Sequence, residues 1–258
     1  MNKQFDFTLQ KFTEILDCLL YNGYSYQSLE DFLYNPAEKV VILRHDVDRS
    51  PLLSLNTARL ENSKGVKGTY YFRIVKASNN PLVMSEIVLL GHEIGYHYED
   101  LTSSNGVPEN AIQTFESNLY YFRKFYPVKT ISMHGSPASK WDNRDLWNNY
   151  SYRDFGIIAE PYFDLDFHKV LYLTDTGRKW NGDRSSVRDK VFQENFLALK
   201  ERLKNSDHIL AAAHAKELPV QLMITIHPQR WSDDLFIWMW EYGTQTVKNG
   251  IKRLIFVQ

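Results

Sequence analysis

The chain has 258 residues, 43% of them hydrophobic and 24% charged, which is enough to bury a full core and too apolar for disorder. Thirty basic against thirty-one acidic residues leave a net charge of -1, which argues against a nucleic-acid or general polyanion surface. The single Cys18 excludes an intramolecular disulfide, no run of eighteen apolar residues occurs, and MNKQFDFTLQ has no apolar signal region, so a soluble cytoplasmic protein is expected.

Apolar periodicity then alternates along the chain. Leu9 to Leu20 predicts a helix, which with its flank forms an N-terminal element over 9–22 packed on the rest. Val40 to Leu43 predicts a short buried strand, Leu52 to Lys64 a helix behind Pro51, and Gly68 to Ile74 a second strand. Leu82 to Leu90 is a helix stopped by Gly91, His92 to Tyr96 a strand, Glu109 to Phe125 a helix and Lys129 to Met133 a strand. Shorter candidates stand at Gly156 to Ala159 and Val170 to Leu173. Val191 to Leu203 predicts a helix, Val220 to Ile226 a strand, and Asp233 to Val247 a helix. In the last, Leu235, Trp238, Met239 and Tyr242 recur at helical spacing and predict core packing. Such alternation argues for a parallel sheet, open or closed into a barrel, with chemistry at the carboxyl ends of its strands. No repeat or linker interrupts it, so 1–258 is expected to be one domain.

The stretch VILRHDVDRSP, Val41 to Pro51, ends a strand in two aspartates. If the strand persists, Asp46 and Asp48 point the same way, and two carboxylates that close need a cation or an arginine between them. Other polar residues fall at matching places: His97 and Glu99 after the third strand, His134 after KTISM, Asp175 after LYLT, and His227 after MITI. Each alone is more often structural; five in register point to a site at one barrel mouth. The aromatic share of 14% suits sugar-stacking surfaces, although most aromatics belong to cores.

HDVD at 45–48, GTYYF at 68–72, GHEIGYH at 91–97 and ITIHP at 224–228 resemble the ordered motifs of the polysaccharide deacetylase family, also called NodB-like or carbohydrate esterase family 4. The resemblance spans roughly Val40 to Trp231. It implies a distorted (β/α) barrel of seven strands and a metal-dependent hydrolase that removes acetyl groups from N-acetylated sugars. By it, Asp46 is the general base, Asp48 and His97 are metal ligands, and His227 is the acid that protonates the leaving amine. Where the family has a second ligand histidine, four residues after the first, this chain has Leu101. His134 is the first substitute and Glu99 the second, so Asp48, His97 and His134 would hold a divalent ion such as zinc and leave a position for water. Arg44 or Arg49 takes the place of the family's base-holding arginine, the alternative being an ordinary surface pair.

YLTDTGRKWNG, Tyr172 to Gly182, stands where the family's fourth motif often carries an aspartate and a tryptophan, here Asp175 and Trp180; with Arg178 they are the expected substrate-binding residues, Trp180 as a wall for a sugar or acetyl group and Arg178 for a substrate carboxylate or phosphate. Otherwise the segment is a loop whose tryptophan plugs the barrel bottom. Trp231 in HPQRW faces the same choice, and Glu160 is a candidate rim group. The expected substrate is a small or carrier-linked N-acetylated sugar, such as a surface-polysaccharide precursor. Two other functions fit the same residues: a non-catalytic carbohydrate-binding protein, and hydrolysis of a different carbon–nitrogen bond.

Overall fold

The computed structural model describes residues 5–136, 138–181, 188 and 191–256. Thr8 caps helix α1 (Leu9–Tyr21), its hydroxyl accepting from Lys11 N–H at 3.0 Å, and Phe12, Ile15, Leu16 and Leu19 form the buried stripe. A short strand β1 (Ser25–Gln27) and helix α2 (Leu29–Tyr34) follow, neither long enough to show a period in sequence.

Strand β2 (Val40–Val47) runs four residues beyond the predicted Leu43 and is buried throughout. In the extension Arg44 hydrogen-bonds Asp46, and His45 Nε2 lies 2.8 Å from Glu61 Oε1. The alternation continues through α3 (Pro51–Ser63), β3 (Thr69–Phe72), α4 (Pro81–Leu89), β4 (Glu93–Tyr98), α5 (Asp100–Ser103), α6 (Pro108–Phe122), β5 (Ile131–Met133), α7 (Pro161–Asp164) and β6 (Leu171–Thr174). It ends with α8 (Leu197–Arg202), α9 (Ser206–His214), β7 (Gln221–Ile226) and α10 (Leu235–Phe256).

These strands form an all-parallel sheet in the order β5-β4-β3-β2-β7-β6, an α/β fold curled as a half-barrel. β1 takes the amino half of one edge of β2 and β3 the carboxyl half. The Gly156–Ala159 candidate is a bridge of Thr130 with Ala159 beyond β5.

β2 also sets the polarity of the concave face. Val40 and Ile42 join Tyr71, Tyr172, Met223, Leu165 and Phe167 in an apolar plug at the amino end. Arg44 and Asp46, two and four residues on, share that face nearer the carboxyl end. Gly95 keeps this interior open for Tyr71: a Cβ there would lie 2.3 Å from the Tyr71 ring, whose hydroxyl reaches Thr130 Oγ1 at 2.9 Å. On the outer face, Val47, Phe72, Ile94 and Tyr96 pack against α3, α4 and α6, and Val41 and Leu43 against the layer of α1 and α9.

Two sequence expectations change. The helix expected over Val191–Leu203 is a 3₁₀ turn at Glu194–Phe196 followed by the six-residue α8. The helix expected to pack as core from Leu235 exposes Leu235, Met239 and Tyr242, and the buried face belongs to Glu241 and Gln245. Among the described residues, no helix is long and apolar enough to cross a membrane.

Candidate metal centre

Six strand ends meet at the carboxyl mouth. Asp48 follows β2, Arg73 follows β3, His97 is the penultimate residue of β4 and Glu99 follows that strand, His134 follows β5, Asp175 follows β6 and His227 follows β7. Asp48 is the point of convergence. Its Oδ1 lies 3.7 Å from His97 Nε2 and 3.6 Å from His134 Nε2, and its Oδ2 lies 3.9 Å from His227 Nε2.

All three rings are oriented through their other nitrogen. His97 Nδ1 is 2.9 Å from Ser132 O, His134 Nδ1 is 3.0 Å from Glu99 Oε2, and His227 Nδ1 is 2.5 Å from Asp175 Oδ1. An Nδ1–H donated to those acceptors leaves the Nε2 lone pairs of His97 and His134 facing Asp48, the tautomer a metal ligand needs. Burial drives the His97 ring down to about 4, so it is neutral at pH 7. Burial works against the charge of Asp48, yet the His134, His227 and His97 rings hold its carboxyl well below the usual range.

A tetrahedral zinc with bonds of about 2.0–2.1 Å needs donors about 3.3 Å apart. The Asp48–His97 and Asp48–His134 spacings are wider by a few tenths of an ångström, and among the described residues no three such side chains are closed up to metal-holding distances. Asp48 Oδ1 is nonetheless buried without a hydrogen-bond partner among the described residues. Two imidazole nitrogens beside an orphaned carboxylate oxygen are the donor types that a divalent ion takes.

Glu99 is turned away from that point. Arg73 holds it through Nε at 2.9 Å and through a second nitrogen at 2.7 Å to each oxygen, and its free reach goes to His134. Burial opposes its charge, but His134 and Arg73 bring it down to about 2. Leu101 lies in α5, buried in the outer core with Phe115 and Tyr98.

Asp46 lies 3.7 Å from His97 Nε2 through Oδ2. Both its oxygens are held by Arg44, Nε to Oδ1 and a terminal nitrogen to Oδ2, each at 2.7 Å. Against the cost of burial, that guanidinium keeps the Asp46 carboxyl below its ordinary range. Arg49, the other candidate for this duty, pairs with Glu241 of α10 instead.

The residues expected to bind substrate have other partners. Asp175 is fully buried and accepts from His227, from Arg230 at 2.6 Å and from Trp231 Nε1 at 2.7 Å. Burial opposes its charge, and Arg230 and His227 lower it to about 2. Burial and Arg230 disfavour a charged His227, but Asp175 outweighs them and raises its pKa. Trp180 and Trp231 pack on each other and on Phe7 in the outer core, so neither offers a ring face to a sugar. Arg178 lies over Phe7, Trp238 and Tyr242 and donates to Arg230 O and Asp6 O. Glu160 is buried as the cap of α7, accepting from Tyr162 and Met133 N–H, with burial pushing it up to about 7. Arg73 and Arg230 are missing from the sequence reading; the rule that found the others, a polar residue just past a strand, also finds Arg73 after GTYYF.

No family model matches this chain, and no curated protein matches it in sequence. Among solved structures it is similar to a CE4 family pseudoenzyme from Bacillus anthracis, at 13% identity and a TM-score of 0.44, over 84% of this chain and 63% of that one. The chain therefore spans less than two thirds of that protein's length.

Proposed function

We propose that the protein is a metal-dependent hydrolase that removes the acetyl group from an N-acetylated sugar. The observation that supports this is the turning of three imidazole Nε2 atoms, each fixed through Nδ1, onto the single carboxylate Asp48. Asp48, His97 and His134 would hold the ion, which when bound supplies Lewis-acid polarisation of the amide carbonyl and a more acidic water. Asp46 takes up the proton that the attacking water releases, and Arg44 keeps it ionised until then. His227 returns a proton to the amine as the carbon–nitrogen bond breaks, with Asp175 stabilising its charged ring. The products are the free amine of the sugar and acetate. Metal content of protein purified without chelator, read beside acetate release from an N-acetylated sugar oligomer, tests the reading; protein without bound metal overturns it.

One observation favours a second reading, a non-catalytic carbohydrate-binding protein. Asp46 is buried with both oxygens already bonded to Arg44, which makes it a weak base. Stoichiometric metal and sugar binding with no acetate release would select this reading.

A further inference from the structure

The outward face of α10 is apolar and, among the described residues, uncovered. Phe236 is 83% exposed, Trp240 70% and Val247 62%, while a Cβ built on Gly243 or Gly250 meets no atom within 4 Å. These positions follow the spacing 236, 240, 243, 247, 250, alternately four and three, which is the seam of a coiled coil. The opposite face is anchored by Glu241, paired with Arg49.

The seam alternates in size, and that alternation selects an orientation. A parallel pair would set Trp240 against Trp240 and glycine against glycine, crowding one level and leaving a void at the next. An antiparallel pair centred between Gly243 and Val247 sets Trp240 level with Gly250 and Gly243 with Val247. Charge agrees. Asp233 and Asp234 precede the helix, Lys248, Lys252 and Arg253 lie in its last turns, and its one acid, Glu241, is buried. Antiparallel packing brings the acidic end of one helix beside the basic end of the other and opposes their dipoles. A groove of about 470 Å³ bounded by Met239, Trp240, Gly243, Thr244, Val247 and Lys248 lies near the centre.

We propose that this face binds a second copy of the same chain, α10 against α10, across a two-fold axis near residue 245. The contact is self-complementary, so it closes as a dimer and does not propagate.

Sedimentation of the full chain across the micromolar range should show a monomer–dimer equilibrium. Trp240→Glu should weaken it by at least about tenfold with an unchanged far-ultraviolet dichroism spectrum, since the side chain is exposed. Register is tested by cysteines, because the only native one, Cys18, is buried. A mixture of Trp240→Cys and Gly250→Cys chains should form disulfide-linked heterodimers under mild oxidation, whereas Trp240→Cys alone should not cross-link. A wild-type monomer throughout the range, association untouched by Trp240→Glu, or Trp240→Cys homodimers would each overturn the proposal. So would a monomer that sediments with phosphatidylserine vesicles, which would make the face a membrane surface.

Discussion

His134 Nδ1 sits 3.0 Å from Glu99 Oε2, so two residues that compete in sequence for one ligand position are partners in the structure. Arg73 locks Glu99 from behind, and the carboxylate aims the imidazole. Glu99→Gln should weaken zinc binding by about tenfold to a hundredfold, and His134→Ala should weaken it further, both read by competition with a chromophoric chelator. Unchanged affinity in His134→Ala removes it from the ligand set and returns the position to Glu99.

Asp46→Asn should abolish turnover and leave metal bound, because an amide of nearly the same shape cannot take the proton. Loss of the ion in that variant would make Asp46 a ligand. Arg44→Met strands the Asp46 charge in the interior and should cost about 3–5 kcal/mol in urea unfolding, much of it recovered by adding Asp46→Asn.

His227→Ala should lower acetate release from an N-acetylated sugar by about a hundredfold to ten-thousandfold. Hydrolysis of an aryl acetate should fall far less, since a phenolate leaves without a proton. Equal losses on both substrates would deny His227 the role of acid.

Burial pushes the Asp100 carboxyl up to about 7, against hydrogen bonds from Tyr96 Oη and Asn118 Nδ2. The unfolded chain gives up this proton near pH 4. From there to about pH 7 the folded state holds more protons, so this group's contribution falls as pH rises and is fully present only at the acid end. Asp100→Asn removes the exchange. Its stability relative to wild type should therefore improve between about pH 4 and 7, measured by melting temperature, and a constant difference would place the proton elsewhere.

The fold was legible wherever a strand or helix was long and apolar. The alternation from Val40 to Leu90 and the run VQLMITI lie within a few residues of β2–α4 and β7. β1, α2 and α9 were not, because three strand residues or a short helix give no period to count. The strand-end rule placed Asp48, His97, His134, Asp175 and His227 around one mouth. It could not say which polar groups face the opening and which serve the others, since Asp175 and Glu99 owe their duties to Arg230 and Arg73 from distant segments. Nor could helical spacing alone decide whether Leu235, Met239 and Tyr242 face inward: an apolar stripe marks a face to be covered, and not what covers it.

The two sides of β2 carry different polar systems, with Arg44 and Asp46 on one and His45, beside Glu61 and Tyr70, on the other. All eight residues are buried, so the usual contrast between a wet and a dry face cannot fix which way the strand is threaded. The charges do. A slip by one residue would turn Arg44 and Asp46 together into the dry layer that holds Glu61, setting a second carboxylate beside the first, and would send His45 and Val47 into the mouth. Misthreading at the centre of the sheet is thus penalised by electrostatics, and the residues assigned to chemistry also proofread the assembly of the strand that bears them.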